Sequence, residues 1–157
     1  MIEINNKTKS KIDLALVQKV AQKFLKYYNK ERRLAAAPFG NGYHANINKV
    51  ELSIAFVGDK IIRRLNKTYR GIDKATDVLA FPCAAAGTSI GEQMFLGEIL
   101  INYSQVKRQA KKFGNSAKRE LVFILVHGLL HLLGHDDKTE TGRREMERIG
   151  EEFVKNF

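Results

Sequence analysis

The sequence predicts a single α+β domain. Three observations carry this. Short apolar runs of strand type recur through the chain, amphipathic helical stretches stand between them, and one long segment is apolar nearly all round. At 157 residues the chain fits one domain and can bury a proper core.

The opening MIEIN suits a short strand. From Ile12 to Glu31, Leu14, Val17, Ala21, Phe24, Leu25 and Tyr28 recur at helical spacing, and Lys19, Lys23, Lys26 and Lys30 fall off that stripe. The first helix is therefore amphipathic and strongly basic outside. Ala35 to Asn48 holds Pro38, Gly40, Asn41 and Gly42 and reads as a loop. Glu51 to Val57 alternates, with Leu52, Ile54 and Phe56 facing one way, as a half-buried strand does. Asp59 is placed to cap a helix running to about Tyr69, with Ile62 and Leu65 inward.

After a turn at Gly71, Asp77 to Phe81 reads as a strand stopped by Pro82, and Ala84 to Gln93 as a Gly-containing loop. Phe95 to Asn102 gives another strand. Ser104 to Phe113 follows as a short helix with Val106, Ala110 and Phe113 on one side. Gly114 and Asn115 break it. Ser116 to Leu133 is the helix apolar nearly all round, hence the expected buried centre. Thr139 to Val154 closes with an amphipathic helix that turns Met146, Ile149 and Phe153 inward.

Composition bounds the partners. Lys and Arg exceed Asp and Glu by ten, a field that draws polyanions to the surface. No apolar run reaches the ~18 residues of a membrane span, and the first residues lack an apolar signal core. The lone Cys83 excludes an internal disulfide framework and suits a reducing cytoplasm. Following an apolar strand, it is expected to be a buried, inert thiol.

The chemistry concentrates in H-G-L-L-H-L-L-G-H-D-D, which begins at His127. Residues four apart on an α-helix differ by about 40° in direction, so His127 and His131 point the same way and can share one metal ion. Gly134 then ends the helix in a left-handed conformation, letting a third ligand swing round. In zinc sites of spacing H-x3-H-x5-H/D the third ligand stands ten residues after the first, and here that is Asp137. The same carboxylate has a structural alternative, because Asp137-x-x-Glu140 has the form of a capping box. His135 is a rival third ligand, and otherwise a solvent-facing residue. Three protein ligands leave one coordination position open, the catalytic arrangement. Zinc peptidases of the H-E-x-x-H type carry a glutamate base directly after the first histidine; here Gly128 stands there, which argues against proteolysis.

This string strongly resembles the signature of the YbeY family, H-G-x-L-H-L-x-G-x-D-H. A second block, L-N-K-T-Y-R-G-I-D-K-A-T-D-V-L-A-F-P from Leu65 to Pro82, and a third, Leu96-Gly97-Glu98-Ile99, are similar to that family's other motifs. The likeness covers about Val50 to Phe157. It implies a zincin-like fold with a small mixed sheet beside the metal-bearing helix, and Zn2+ on His127 and His131. It implies a metal-dependent endoribonuclease acting in rRNA maturation, at the 3′ end of small-subunit rRNA, and in ribosome quality control. Ribosomal proteins and an assembly GTPase are the implied further partners. The family's third ligand is a histidine, so Asp137 is a departure. Its functional arginine falls on Arg70, whose guanidinium can pair bidentately with phosphate and stabilise charge on a phosphoryl oxygen. Arg63, Arg64, Lys67 and Arg70 then form the expected RNA-binding group, with Lys107, Arg108, Lys111, Lys112, Lys118 and Arg119 flanking the approach to the metal helix. Two other functions compete: a non-catalytic RNA- or ribosome-binding assembly factor with a structural zinc, and a zinc peptidase.

Overall fold

Strand β2 (Val50–Phe56) shows how the sheet is built, because its residues alternate strictly between buried and half-buried. Val50, Leu52, Ile54 and Phe56 enter the core, which the alternation of side chains along a strand requires. The computed structural model describes residues 1–32, 50–83 and 94–157. The loops read at Ala35–Asn48 and Ala84–Gln93 lie outside them. The order of elements is β1 (Ile2–Asn6), α1 (Leu14–Arg32), β2, α2 (Asp59–Arg70), β3 (Val78–Pro82), β4 (Met94–Ile101), α3 (Tyr103–Phe113), α4 (Ala117–Leu132) and α5 (Glu140–Asn156).

The four strands among the described residues form one mixed sheet in the order β1-β2-β4-β3. β1 and β4 run parallel to β2, and β3 runs antiparallel to β4 at the edge, with Val78 opposite Ile101 and Phe81 opposite Glu98. Pro82, which cannot donate to a ladder, is tolerated because it ends that strand.

The sheet divides the core unequally. Ile54, Ile99, Ile101 and Val78 pack with α1, α4 and α5 in the main cluster, whereas Leu79, Phe81 and Leu100 pack with Ile62 and Leu65 of α2 in a smaller one. Alternate strand residues point to opposite faces, so α4 and α2 lie on opposite sides of β3. Helix α4 is the central one: Leu125, Val126, Leu129, Leu130 and Leu132 are wholly buried. The α+β class, the five helices among the described residues and the central position of α4 agree with the expectation.

Several local readings are corrected. Asp59 does not cap α2. Gly58 occupies that position, and the Asp59 carboxylate instead accepts from Asn102 Nδ2 at 2.6 Å and pairs with Arg108 at 2.6 Å, tying α2 to α3. These two partners, Arg108 first, hold Asp59 below the ordinary carboxylate pKa. Phe113 is exposed rather than inward, beneath the Lys112 ammonium. Cys83 is only half-buried, one residue past the end of β3, where its N–H donates to the Leu96 carbonyl.

Candidate metal centre

Helix α4 presents His127 and His131 because both its ends are firmly closed. Ser116 caps the start, accepting from the Arg119 N–H at 3.1 Å. At the other end Gly134 has φ 87°. Its N–H reaches the His131 carbonyl, and that of His135 reaches Leu130, both at 3.0 Å. This paired closure needs a left-handed residue, which glycine supplies without strain. The chain leaves the helix beside the two imidazoles, as the sequence predicts.

The three residues beyond the helix end go three different ways. His135 turns into the core, where it is buried and its Nε2 lies 2.9 Å from the Tyr28 hydroxyl of α1; it is neither solvent-facing nor part of the histidine group. The Asp136 carboxylate accepts from the Lys138 N–H at 2.9 Å and pairs with the Lys138 ammonium at 3.3 Å, which lowers its pKa. Asp137 turns back to α4. Its Oδ2 lies 3.6 Å from His127 Nε2 and 3.8 Å from His131 Nε2.

The capping-box alternative for Asp137 is corrected here. Thr139, two residues later, caps α5 by accepting from the Gly142 N–H at 3.1 Å, so the Asp137 carboxylate is not spent on the helix. Gly142 matters a second time. A Cβ there would run into the carbonyl oxygen of Asp136, so the ligand loop can lie this close to α5 only over a glycine.

The geometry fits a metal ion. His127 Nε2 and His131 Nε2 are 3.0 Å apart, and with Asp137 Oδ2 these donor atoms all lie within 4.8 Å of one another. The triangle with sides 3.0, 3.6 and 3.8 Å has a point about 2.0 Å from all three corners, the bond length of zinc to imidazole nitrogen or carboxylate oxygen. His131 Nδ1 lies 3.1 Å from the His135 carbonyl oxygen. A carbonyl only accepts, so Nδ1 carries the proton and the Nε2 lone pair is free for a ligand bond. Burial and the adjacent His131 hold His127 below the ordinary histidine pKa, against the opposing pull of Asp137, Asp77 and Glu147. It is therefore neutral at pH 7, the form that binds metal.

Gly128 faces the sheet. A Cβ there would approach Ile99 Cγ2 at 3.1 Å and Val78 Cγ2 at 3.2 Å, so the position that carries the base in H-E-x-x-H sites has no room here for a glutamate.

The basic residues divide into paired and unpaired. Arg63 and Lys67 both hold Asp73, at 2.7 and 3.0 Å, and bring its carboxyl down to about 2. Arg108 is held by Asp59 and Arg119 by Glu151. Arg64, Arg70, Lys107, Lys111, Lys112 and Lys118 have no carboxylate partner among the described residues. Arg70 is the last residue of α2 rather than a residue beyond it, and is exposed. Next to it Tyr69 leans edge-on against Phe81 at 5.1 Å.

Sequence reasoning missed Tyr28, Thr139 and Gly142. Tyr28 reads as one more apolar residue on the inner stripe of α1, with no local sign of a partner 107 positions away. Thr139-x-x-Gly142 lacks the acidic residue that advertises a capping box.

The α+β domain thus brings two histidines of its central helix and one aspartate from the segment after it into a group that could hold a metal ion. The family model described as endoribonuclease YbeY matches residues 3–157, and the chain belongs to that family. Endoribonuclease YbeY of Alkaliphilus metalliredigens is 45% identical over 106 residues, covering 66% of this chain and 68% of the relative. That of Moorella thermoacetica is 40% identical over 134 residues, covering 82% and 83%. The solution structure of TM1509 from Thermotoga maritima superposes with a TM-score of 0.58 at 26% identity, covering 99% of this chain and 87% of that one.

Proposed function

We propose that this protein is a zinc-dependent endoribonuclease of rRNA maturation. The observation that carries the reading is the convergence of His127 Nε2, His131 Nε2 and Asp137 Oδ2 around one point, in a chain whose relatives are named endoribonucleases. These three residues would hold the ion. Bound there, zinc supplies Lewis-acid chemistry toward water and phosphoryl oxygen at neutral pH. His131 is held to one tautomer by the His135 carbonyl, and burial keeps His127 neutral. Arg70, without a carboxylate partner among the described residues, pairs with the scissile or a neighbouring phosphate and stabilises its developing charge. Arg64 offers a second guanidinium without a carboxylate partner among the described residues; Arg63 and Lys67 contribute less, because Asp73 already neutralises part of their charge.

The proposed substrate is small-subunit rRNA, in a cytoplasmic setting, with ribosomal proteins and an assembly GTPase as further partners. Peptidase chemistry is disfavoured by the lack of space at Gly128. RNA cleavage by His131→Ala and Arg70→Ala proteins tests the proposal. Both are expected to lose at least tenfold in rate, since one transition-state hydrogen-bond donor is worth ~10²–10³. Wild-type rates in both, with contaminating nucleases removed, would overturn it.

A further inference from the structure

Helix α1 carries a feature that the metal centre does not use. Lys19, Lys23, Lys26 and Lys30 are all exposed. At about 100° per residue they fall within an arc of roughly 60°, along about 16 Å of helix. None of the four has a carboxylate partner among the described residues, and α1 contains no acidic residue before Glu31. The Lys23 ammonium lies 5.2 Å over the Phe157 ring, a contact that keeps its charge.

Helix α5 shows what a merely solvated helix surface looks like in this protein. There Arg144 pairs with Glu140 and Arg148 with Glu152, one turn apart, as expected of charges that only need to be soluble. The α1 row has no such counter-charges among the described residues. Four like charges on one stripe repel one another, so the row costs stability that a polyanion would offset.

We propose that the α1 lysine row is a second RNA-docking surface, which grips the phosphate backbone of a duplex region away from the metal centre. This rests on the endoribonuclease reading. A row of point charges tracks phosphates without reading bases. An anionic membrane suits it less. The opposite face of α1, with Val17, Val20, Ala21 and Phe24, is fully buried, and leaves no apolar side to enter the lipid interface.

The test uses the full-length protein and a long-stemmed RNA hairpin, with affinity measured by fluorescence anisotropy across a salt series. Changing Lys19, Lys23, Lys26 and Lys30 together to Gln should flatten the slope of log K against log salt by about 3 to 4, about one per lost phosphate contact. The same four positions changed to Arg should keep the wild-type slope, which separates charge from any disturbance of the helix. Gln at Arg144 and Arg148 is the paired-charge control and should leave the slope unchanged. A wild-type slope in the four-Gln protein overturns the proposal while leaving the endoribonuclease reading intact; no RNA binding by wild type at any salt overturns both. Lysine-dependent binding to phosphatidylglycerol vesicles, with the RNA slope unmoved, would assign the row to membranes instead.

Discussion

A glycine that touches no ligand should control metal affinity. Gly142 sits in the first turn of α5, where an added Cβ would fall about an ångström inside the 3.0 Å that real Cβ atoms keep from their neighbours. The obstructing atom is the backbone carbonyl oxygen of Asp136, and no rotamer change can move it aside. In Gly142→Ala the 136–137 peptide must therefore retreat from α5 by most of an ångström, and Asp137 is carried with it. A metal site tolerates errors of only about 0.2 Å in ligand distance. The present triangle, with edges of 3.0, 3.6 and 3.8 Å, already places its centre at bonding distance. Metal affinity should fall about 10–100-fold, the range seen when groups that orient ligands are altered.

Stability should move far less. Forced repacking costs about 1–3 kcal/mol, and alanine returns about 1 kcal/mol of helix propensity, leaving a net loss of roughly 0–2 kcal/mol. Competition for zinc against a chromophoric chelator gives the affinity, and thermal unfolding of the metal-free protein gives the stability. Wild-type zinc affinity in a folded Gly142→Ala protein would refute the argument that α5 sets the position of Asp137.

Asp137→Ala should abolish tight zinc binding while changing metal-free stability by no more than about 0.5 kcal/mol, whereas Thr139→Ala should cost about 1 kcal/mol; chemical denaturation of both proteins shows which residue caps α5, and the reverse ranking would restore Asp137 as the cap. Asp73 should titrate near 2 by carboxyl-detected NMR. Because its pKa is depressed, the pairs with Arg63 and Lys67 stabilise the fold fully above the unbound value of 3.8 and lose that effect as pH falls toward 2. A midpoint at 3.8 would mean that those pairs do not form in solution. Gly128→Glu should yield no peptidase activity and a loss of more than about 3 kcal/mol, because it drives a carboxylate between Val78 and Ile99; a stable variant at normal yield would show that α4 lies further from the sheet.

Local periodicity made most of this fold legible. The 2-residue alternation of Leu52, Ile54 and Phe56 and the all-round apolarity of α4 report how many faces each element buries. The pair His127 and His131 is legible for the same reason, since helical spacing alone aligns them. What periodicity does not report is which of several nearby groups wins a partner. Asp59 has the composition of a cap, but Arg108 and Asn102 reach it from α3. Asp137 and Thr139 are both competent caps, and the choice depends on where the chain leaves Gly134. His135 has ligand chemistry, and only the approach of α1 shows that Tyr28 takes it into the core.

In the proposed metal site, Asp137 stands where the resembled family signature has a histidine, an exchange that is electrostatic more than geometric. Two neutral imidazoles and one carboxylate would leave a bound divalent ion with a net charge of about +1, where three imidazoles would leave about +2. The lower charge would weaken the ion's hold on an oxyanion and raise the pKa of any water bound to it. Under the proposed function, phosphodiester cleavage would then depend more on cations outside the metal shell, and Arg70 and Arg64, neither with a carboxylate partner among the described residues, would supply them. Replacing Asp137 by His, the residue the family signature carries at that position, should therefore reduce the penalty of Arg70→Ala. A double-mutant cycle on RNA cleavage measures this directly. Strictly additive effects would show that Arg70 and the third ligand act on different charges.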